Sequence, residues 1–175
     1  IPLNDDIKDY LFLLINGIKK EFKKHKIKAN FVPKKNLHIT LMFLGNIKDE
    51  ELVKINKKIS RIKFKPFKFS LNCLGVFPNE NLSRVLWVGI KPERDIISLQ
   101  KHIDTGLLDV LGLKRDHDFG AHITLARTKH SPQIISIIKQ VRLKEFEQNV
   151  DSFALYRSEL HKDGAKYFLI EKFVG

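Results

Sequence analysis

The chain has 175 residues and a single cysteine, Cys73, so an intramolecular disulfide and a cysteine-based metal knuckle are excluded, and a reducing, cytoplasmic setting is the simplest interpretation. The 32 basic and 20 acidic side chains give a formal net charge of +12, which favours a polyanionic partner such as a nucleic acid or an acidic membrane surface, although lysine-rich surfaces also occur in thermophile proteins. The longest apolar runs have six residues, too few for a membrane-spanning helix.

The first half of the chain alternates helical and strand-like patterns. Asn4 is a candidate N-cap, and apolar residues recur at helical spacing from Ile7 to Phe22. A short apolar run before Gly45 is typical of a buried strand. The predicted elements are a helix of about twenty residues from Asn4, a strand at 37–44, a helix at 49–62 and strands at 66–74 and 84–91.

The same order of elements returns in the second half. The predicted elements there are a helix at 93–111, a strand at 121–127, a helix starting at Ser131 and Pro132, and strands at 146–156 and 166–173. A shift of 84 residues, the separation of His38 and His122, overlays helix on helix and strand on strand. We infer one bilobal domain over 1–175 with an internal repeat, about 1–84 and 85–175. Because a strand precedes the helix at 93 whereas the first helix follows only Ile1-Pro2, we also expect a short apolar strand upstream of Ile1.

The tetrapeptide His-Ile-Thr-Leu occurs at 38–41 and again at 122–125. The composition predicts roughly 0.16 His-x-Thr matches by chance, so two matches at equivalent places in a repeat indicate a shared function. In a strand, the histidine and the threonine of each motif share one face, and the intervening isoleucine points to the other. If a pseudo-twofold axis relates the halves, both pairs line a common cleft.

Two imidazoles and two hydroxyls suit cleavage of a phosphodiester by acid–base catalysis. One neutral histidine can accept a proton from the nucleophile while the other, as imidazolium, protonates the leaving oxygen. Threonine hydroxyls can bind the phosphoryl oxygens, and a cyclic phosphodiester needs no metal for this chemistry. The alternatives are core histidines beside strand-forming threonines, or a metal site, for which neither strand supplies a third ligand. The residues alone leave open which histidine is the acid.

The motifs and their contexts resemble those of the two-histidine phosphoesterase superfamily. Within it, the chain is most similar to the RNA 2′,3′-cyclic phosphodiesterases, also called 2′-5′ RNA ligases. The stretches that carry the resemblance are LHITLMFLG at 37–45, AHITLAR at 121–127, RVLWVG at 84–89, RSEL at 157–160 and GAKY at 164–167. The resemblance implies an α+β, bilobal, duplicated fold in which two antiparallel sheets form a central cleft and the helices lie outside.

The resemblance also implies the reaction and the site. The reaction is hydrolysis of RNA 2′,3′-cyclic phosphate ends, such as those of tRNA fragments, to 2′-phosphomonoesters by a monomer without metal or cofactor. The family roles make His38 the proton donor and His122 the proton acceptor. Thr40 and Thr124 would bind the phosphate oxygens.

Three further residues are candidate substrate contacts. Arg127 can meet a phosphate, and Phe43 and Phe119 can stack on a terminal base. The family often has proline where this chain has Ala121, a difference that concerns the loop entering the strand. We interpret the remaining histidines as solvated or structural: His25, His102, His117, His130 and His161.

Other functions remain open from the sequence. The reverse chemistry, with an RNA 5′-hydroxyl in place of water, would form a 2′-5′ linkage. A module that binds RNA ends without turnover would gain little from two titratable imidazoles. A phosphodiesterase of small nucleotides would show less salt dependence than an enzyme of longer RNA.

Overall fold

The computed structural model describes residues 1–112, 119–129, 133–161 and 164–175. Four α-helices lie in this part of the chain: α1 (Asp5–Lys24), α2 (Asp49–Ile59), α3 (Arg94–Leu111) and α4 (Gln133–Lys139). The strands are β1 (Ala29–Phe31), β2 (Phe67–Phe77), β3 (Val85–Lys91), β4 (His122–Thr128), β5 (Glu147–Val150), β6 (Ser152–His161) and β7 (Gly164–Val174). Among the described helices, none has the length and apolarity to cross a bilayer.

Helix α1 begins and ends where its sequence favours it. The Asn4 side chain accepts a hydrogen bond of 2.9 Å from the backbone N–H of Ile7, which confirms the predicted N-cap. Acidic residues in the first turn and lysines in the last turn complement the helix dipole. The buried residues form one stripe along the helix: Ile7, Leu11, Ile15, Ile18 and Phe22.

The strands form two antiparallel sheets. One has five strands in the order β1-β4-β3-β2-β5, and the other is the hairpin β6-β7. Every described strand pair is antiparallel. The predicted α+β class with two antiparallel sheets is therefore confirmed. One face of the larger sheet carries Val88 and Ile123, both fully buried in the same core as the stripes of α1 and α3.

The predicted strand at 37–44 is wrong over most of its length. Only His38 and Ile39 pair, each in a single antiparallel bridge, His38 with Pro2 and Ile39 with Ile123. Ile1 also exchanges two backbone hydrogen bonds with Ile39, of 2.7 and 3.0 Å. Residues 41–44 form no ladder, and three of them, Leu41, Met42 and Leu44, pack against the core. The apolar run indicated burial, which does not require strand pairing.

The predicted strand at 146–156 is two strands. Asp151 is exposed and separates β5, which pairs with β2, from β6, which pairs with β7 in the other sheet. Helix α2 ends at Ile59, short of the predicted end at 62, and the three-residue strand β1 was not predicted. The predicted helix start at Ser131 and Pro132, and two of the remaining histidines, His117 and His130, lie outside the described residues.

Gly75 allows the indole of Trp87 to lie against the sheet. The two residues face each other across the β2-β3 pair. A Cβ atom added at Gly75 would stand 2.3 Å from the Trp87 ring, closer than any real contact. Glycine is therefore needed at position 75 by the close approach of this ring.

We predict that Gly75→Ala lowers the free energy of unfolding by about 1–3 kcal/mol, since the methyl group must displace the indole. Denaturant unfolding measures the change. The matched control is Gly17→Ala in α1, where an added Cβ meets nothing within 4 Å, and which should stabilise by about 0.5–1 kcal/mol. Equal stability of the Gly75→Ala and wild-type proteins would contradict the close packing of Trp87.

Candidate active site

The bridge between Ile39 and Ile123 brings the two His-Ile-Thr-Leu motifs side by side. Both isoleucines are fully buried. Because successive residues of extended backbone point to opposite faces, the neighbours of this pair point away from the core. The four polar residues that share this face are His38, Thr40, His122 and Thr124.

The antiparallel register sets each histidine beside the threonine of the other motif. With Ile39 opposite Ile123, His38 lies opposite Thr124 and Thr40 lies opposite His122. Directly opposed residues of an antiparallel pair have Cβ atoms about 4.5–5.5 Å apart. The two imidazoles and two hydroxyls therefore surround a space in which one tetrahedral phosphoryl group can contact all four.

Both imidazole rings are anchored in the same way. Nδ1 of His38 lies 2.7 Å from the carbonyl oxygen of Asn36, and Nδ1 of His122 lies 2.7 Å from that of Gly120. A carbonyl oxygen only accepts, so these partners assign the hydrogen of each ring to Nδ1. In both residues Nε2 is left as the nitrogen that gains or loses a proton.

His38 lies in the more enclosed environment. The ring of Tyr167 on β7 packs edge-on against the imidazole, with the two ring centroids 5.1 Å apart. Thr40 Oγ1 lies 2.9 Å from Nε2 of His38. Burial lowers the pKa of His38 from its ordinary value of 6.5, against the raising effect of the Asn36 carbonyl. A positive charge on His122 lowers this pKa further.

His122 lies on β4 against aromatic residues of two neighbouring strands. Phe77 at the end of β2 packs edge-on against the imidazole, with the ring centroids 4.9 Å apart, and the ring centroid of Trp87 on β3 lies 6.2 Å from that of His122. Phe77 and Trp87 also contact each other, at 4.9 Å. Gly89 stands directly opposite His122, so no side chain of β3 blocks the imidazole there. In the described part of the chain, the buried indole Nε1 of Trp87 has no hydrogen-bond partner.

The three predicted substrate contacts, Arg127, Phe43 and Phe119, differ in exposure and in position. Arg127 is exposed on β4 and lies opposite Val85, on the face that carries Thr124. Phe43 is 67% exposed, in the segment after the first motif. Phe119 is half-buried, packs against the core and lies next to Gly120, whose carbonyl anchors His122. Base stacking by the two phenylalanines stays a prediction.

Sequence reasoning missed three aromatic residues that position the imidazoles, namely Phe77, Trp87 and Tyr167. One signal could have found Trp87, because it alternates with Gly89 on the strand predicted at 84–91. Tyr167 gave no such signal, since its contact with His38 spans 129 positions of the chain.

Over the residues that the structure describes, no group of three or more His, Cys, Asp or Glu side chains is arranged to hold a metal ion. The four polar residues of the candidate site include only two nitrogen ligands, and their Nδ1 atoms are already bonded to carbonyl oxygens. This donor set is poor for a divalent ion and suits proton transfer.

Comparison with known proteins identifies relatives along the whole chain. The family model of the LigT-like phosphoesterases matches residues 1–87 and again residues 88–167. An RNA 2′,3′-cyclic phosphodiesterase of Archaeoglobus fulgidus is 38% identical over 138 residues, covering 78% of this chain and 78% of that protein. A protein of the same name from Methanocaldococcus jannaschii is 33% identical over 174 residues, covering 95% of each.

Solved structures share the fold. The crystal structure of TT0787 of Thermus thermophilus matches with a TM-score of 0.76 at 29% identity, covering 98% of this chain and 93% of that one. Escherichia coli LigT in complex with 3′-AMP matches with a TM-score of 0.77 at 23% identity, covering 99% and 94%.

We predict that His38 titrates below 6.5 because burial disfavours its charged form. Replacement of Tyr167 by alanine opens one side of the ring to water, so the midpoint should rise towards 6.5. NMR titration of the imidazole protons measures both midpoints. The control is Phe168→Ala. This variant loses the ring next to Tyr167 on β7, which contacts Arg157, and its His38 midpoint should equal that of the wild-type protein. A midpoint at or above 6.5 in the wild-type protein would refute the argument.

Proposed function

The chain belongs to the LigT-like phosphoesterase family, and on this premise we propose that it hydrolyses RNA 2′,3′-cyclic phosphate ends to 2′-phosphomonoesters by metal-independent acid–base catalysis. The observation that carries the proposal is the antiparallel pairing of Ile39 with Ile123, because it opposes two His-Thr pairs across one space. The relatives named RNA 2′,3′-cyclic phosphodiesterase support the substrate class.

The two histidines divide the proton transfers. Nε2 of His122 accepts a proton from the attacking water, whose oxygen forms the new bond to phosphorus. The bond from phosphorus to O3′ breaks, and Nε2 of protonated His38 donates its proton to O3′. The product carries a 2′-phosphate and a 3′-hydroxyl, and both Nδ1–H groups stay bonded to their carbonyl oxygens throughout. The assignment of donor and acceptor follows the family resemblance.

The threonine hydroxyls bind the non-bridging phosphoryl oxygens. The Thr40 hydroxyl donates to Nε2 of neutral His38, and once Nε2 is protonated the hydroxyl hydrogen is released and can be donated to the phosphate instead. Thr124, opposite His38, binds the phosphate from the other strand. Two such donors stabilise the charge that develops on these oxygens in the transition state.

The lowered pKa of His38 has two opposing effects on the donor. Its imidazolium is a stronger acid, which assists departure of O3′, but a smaller fraction of the enzyme carries that proton at neutral pH. A bound phosphate anion beside His38 offsets the burial and raises the protonated fraction. Binding of substrate therefore prepares the donor for its role.

Other parts of the proposal concern the substrate beyond the phosphate. Arg127, exposed on the cleft face of β4, would bind RNA phosphate. Phe43 and Phe119 would contact the terminal base. The net charge of +12 supports RNA as the partner. A monomeric state, a cytoplasmic location and a tRNA substrate stay predictions.

We expect His38→Ala and His122→Ala each to lower kcat by at least about a hundredfold on a short RNA ending in 2′,3′-cyclic phosphate, since each removes one proton transfer. The assay contains EDTA, and the position of the phosphate in the product is assigned by NMR. The matched control is His102→Ala, an exposed histidine of α3, which should retain wild-type turnover. Turnover that EDTA abolishes, or that survives both cleft substitutions, would overturn the mechanism.

We also expect Thr40→Val and Thr124→Val to lower kcat about a hundredfold, because each removes one hydroxyl donor to the phosphoryl oxygens. Thr40→Ser and Thr124→Ser keep the hydroxyl and should restore most of the activity. Steady-state kinetics on the same RNA give kcat and KM separately. A threonine that serves only strand packing would show the reverse order, with valine active and serine impaired.

A further inference from the structure

Three cations extend the face of β4 that carries the candidate site. We call Lys28, Arg127 and Lys129 the β1-β4 strip. Asn30 of β1 lies opposite Arg127, and extending the register by one residue past Ala29 and Thr128 sets Lys28 opposite Lys129. All three cationic residues are exposed.

The strip lies on the cleft side of the sheet. On β1, Phe31 packs against Phe22 of α1, so its neighbour Asn30 points away from that helix, and continued alternation places Lys28, just before the strand, on the same side as Asn30. On β4, Arg127 opposes Val85, which in turn opposes Phe77, the ring that packs on His122. Both strands therefore place these cations on the same face as the catalytic pair.

The strip begins close to the phosphate-binding threonine. Thr124 and Arg127 are three positions apart, which corresponds to about 10 Å of strand, and the long arginine side chain shortens that gap. Lys129 lies two positions further along the chain, and the extended register places Lys28 opposite it. The spacing forms a line of positive charge that leads away from the reacting phosphate.

The cations of the strip have no acidic partner among the described residues, whereas several other lysines do. Lys34, Lys58 and Lys68, for example, each contact a carboxylate. An exposed cation without an internal partner is free to exchange its counterions for phosphates of a ligand. Most lysines in the described part of the chain also lack an acidic partner, so it is the position of the strip, on the face of the candidate site, that distinguishes it from the general excess of lysine.

We propose that the β1-β4 strip binds the RNA backbone on the 5′ side of the cyclic phosphate. This inference rests on the proposed function. A 2′,3′-cyclic phosphate terminates its chain, and all remaining phosphates therefore lie on its 5′ side. A line of cations on one side of the site matches this polarity. Arg127 meets the phosphate nearest the reacting one, and Lys28 and Lys129 meet those that follow.

The test compares two substrates with one pair of variants. The probes are a single-stranded hexanucleotide ending in 2′,3′-cyclic phosphate and adenosine 2′,3′-cyclic monophosphate, which has no 5′ phosphate. For Lys28→Ala/Lys129→Ala, the ratio of kcat/KM on the hexanucleotide to kcat/KM on the mononucleotide should fall about tenfold. The slope of log kcat/KM against log salt for the hexanucleotide should become shallower by about 1.4, as expected for two lost phosphate contacts to a single strand.

The matched control is Lys20→Ala/Lys101→Ala, which removes two exposed lysines from α1 and α3, and should leave both the ratio and the slope at wild-type values. The charge-reversed pair Lys28→Glu/Lys129→Glu should lower the ratio further. If the strip variants keep the wild-type ratio while both probes are hydrolysed, the inference fails and the proposed function stands. If the wild-type protein hydrolyses neither probe, the proposed function itself fails.

Discussion

The candidate site depends on one contact, the pairing of Ile39 with Ile123. Burial of both isoleucines stabilises the pair, and their alternation with polar neighbours turns two histidines and two threonines to the opposite face. A slip of one residue in either segment would direct an imidazole and a hydroxyl into the core, where neither has a partner. Hydrophobic burial on one side of the sheet thus specifies the register of the two His-Thr pairs on the other side.

The pairing is nearly symmetric, but the surroundings of the two histidines are not. Both rings are anchored through Nδ1 to the carbonyl oxygen two residues before them. His38 is then enclosed by Tyr167 and bonded to Thr40, and burial lowers its pKa, whereas His122 lies against Phe77 and the open position at Gly89. A reaction with one proton donor and one acceptor requires such a difference. Similar backbone geometry aligns the two imidazoles, and unequal neighbours give them the different environments that the proposed division of roles needs.

The sequence predicted those parts of the fold that depend on local patterns. The cap at Asn4 and the stripe of α1 follow from neighbouring residues, and the strand positions of His122 and Thr124 follow from period-two alternation. The segment at 37–44 was overpredicted because an apolar run reports burial and carries no information on its hydrogen-bond partners. The break at Asp151 and the contact of Tyr167 with His38 depend on residues distant in sequence, and no local pattern encodes them.

The distinction between local sequence patterns and contacts distant in sequence applies to charge as well. A net charge of +12 indicates a polyanionic partner but, with 25 lysines spread over the chain, it does not indicate where that partner binds. The position of a cation relative to the candidate site follows only from strand register, which sets Arg127 opposite Asn30 on one side and Val85 on the other, on the face that carries Thr124. A field from the whole surface attracts RNA in any orientation. In the proposed binding mode, a line of exposed cations on one side of the site orients the RNA, because only one direction of the chain can leave a terminal cyclic phosphate.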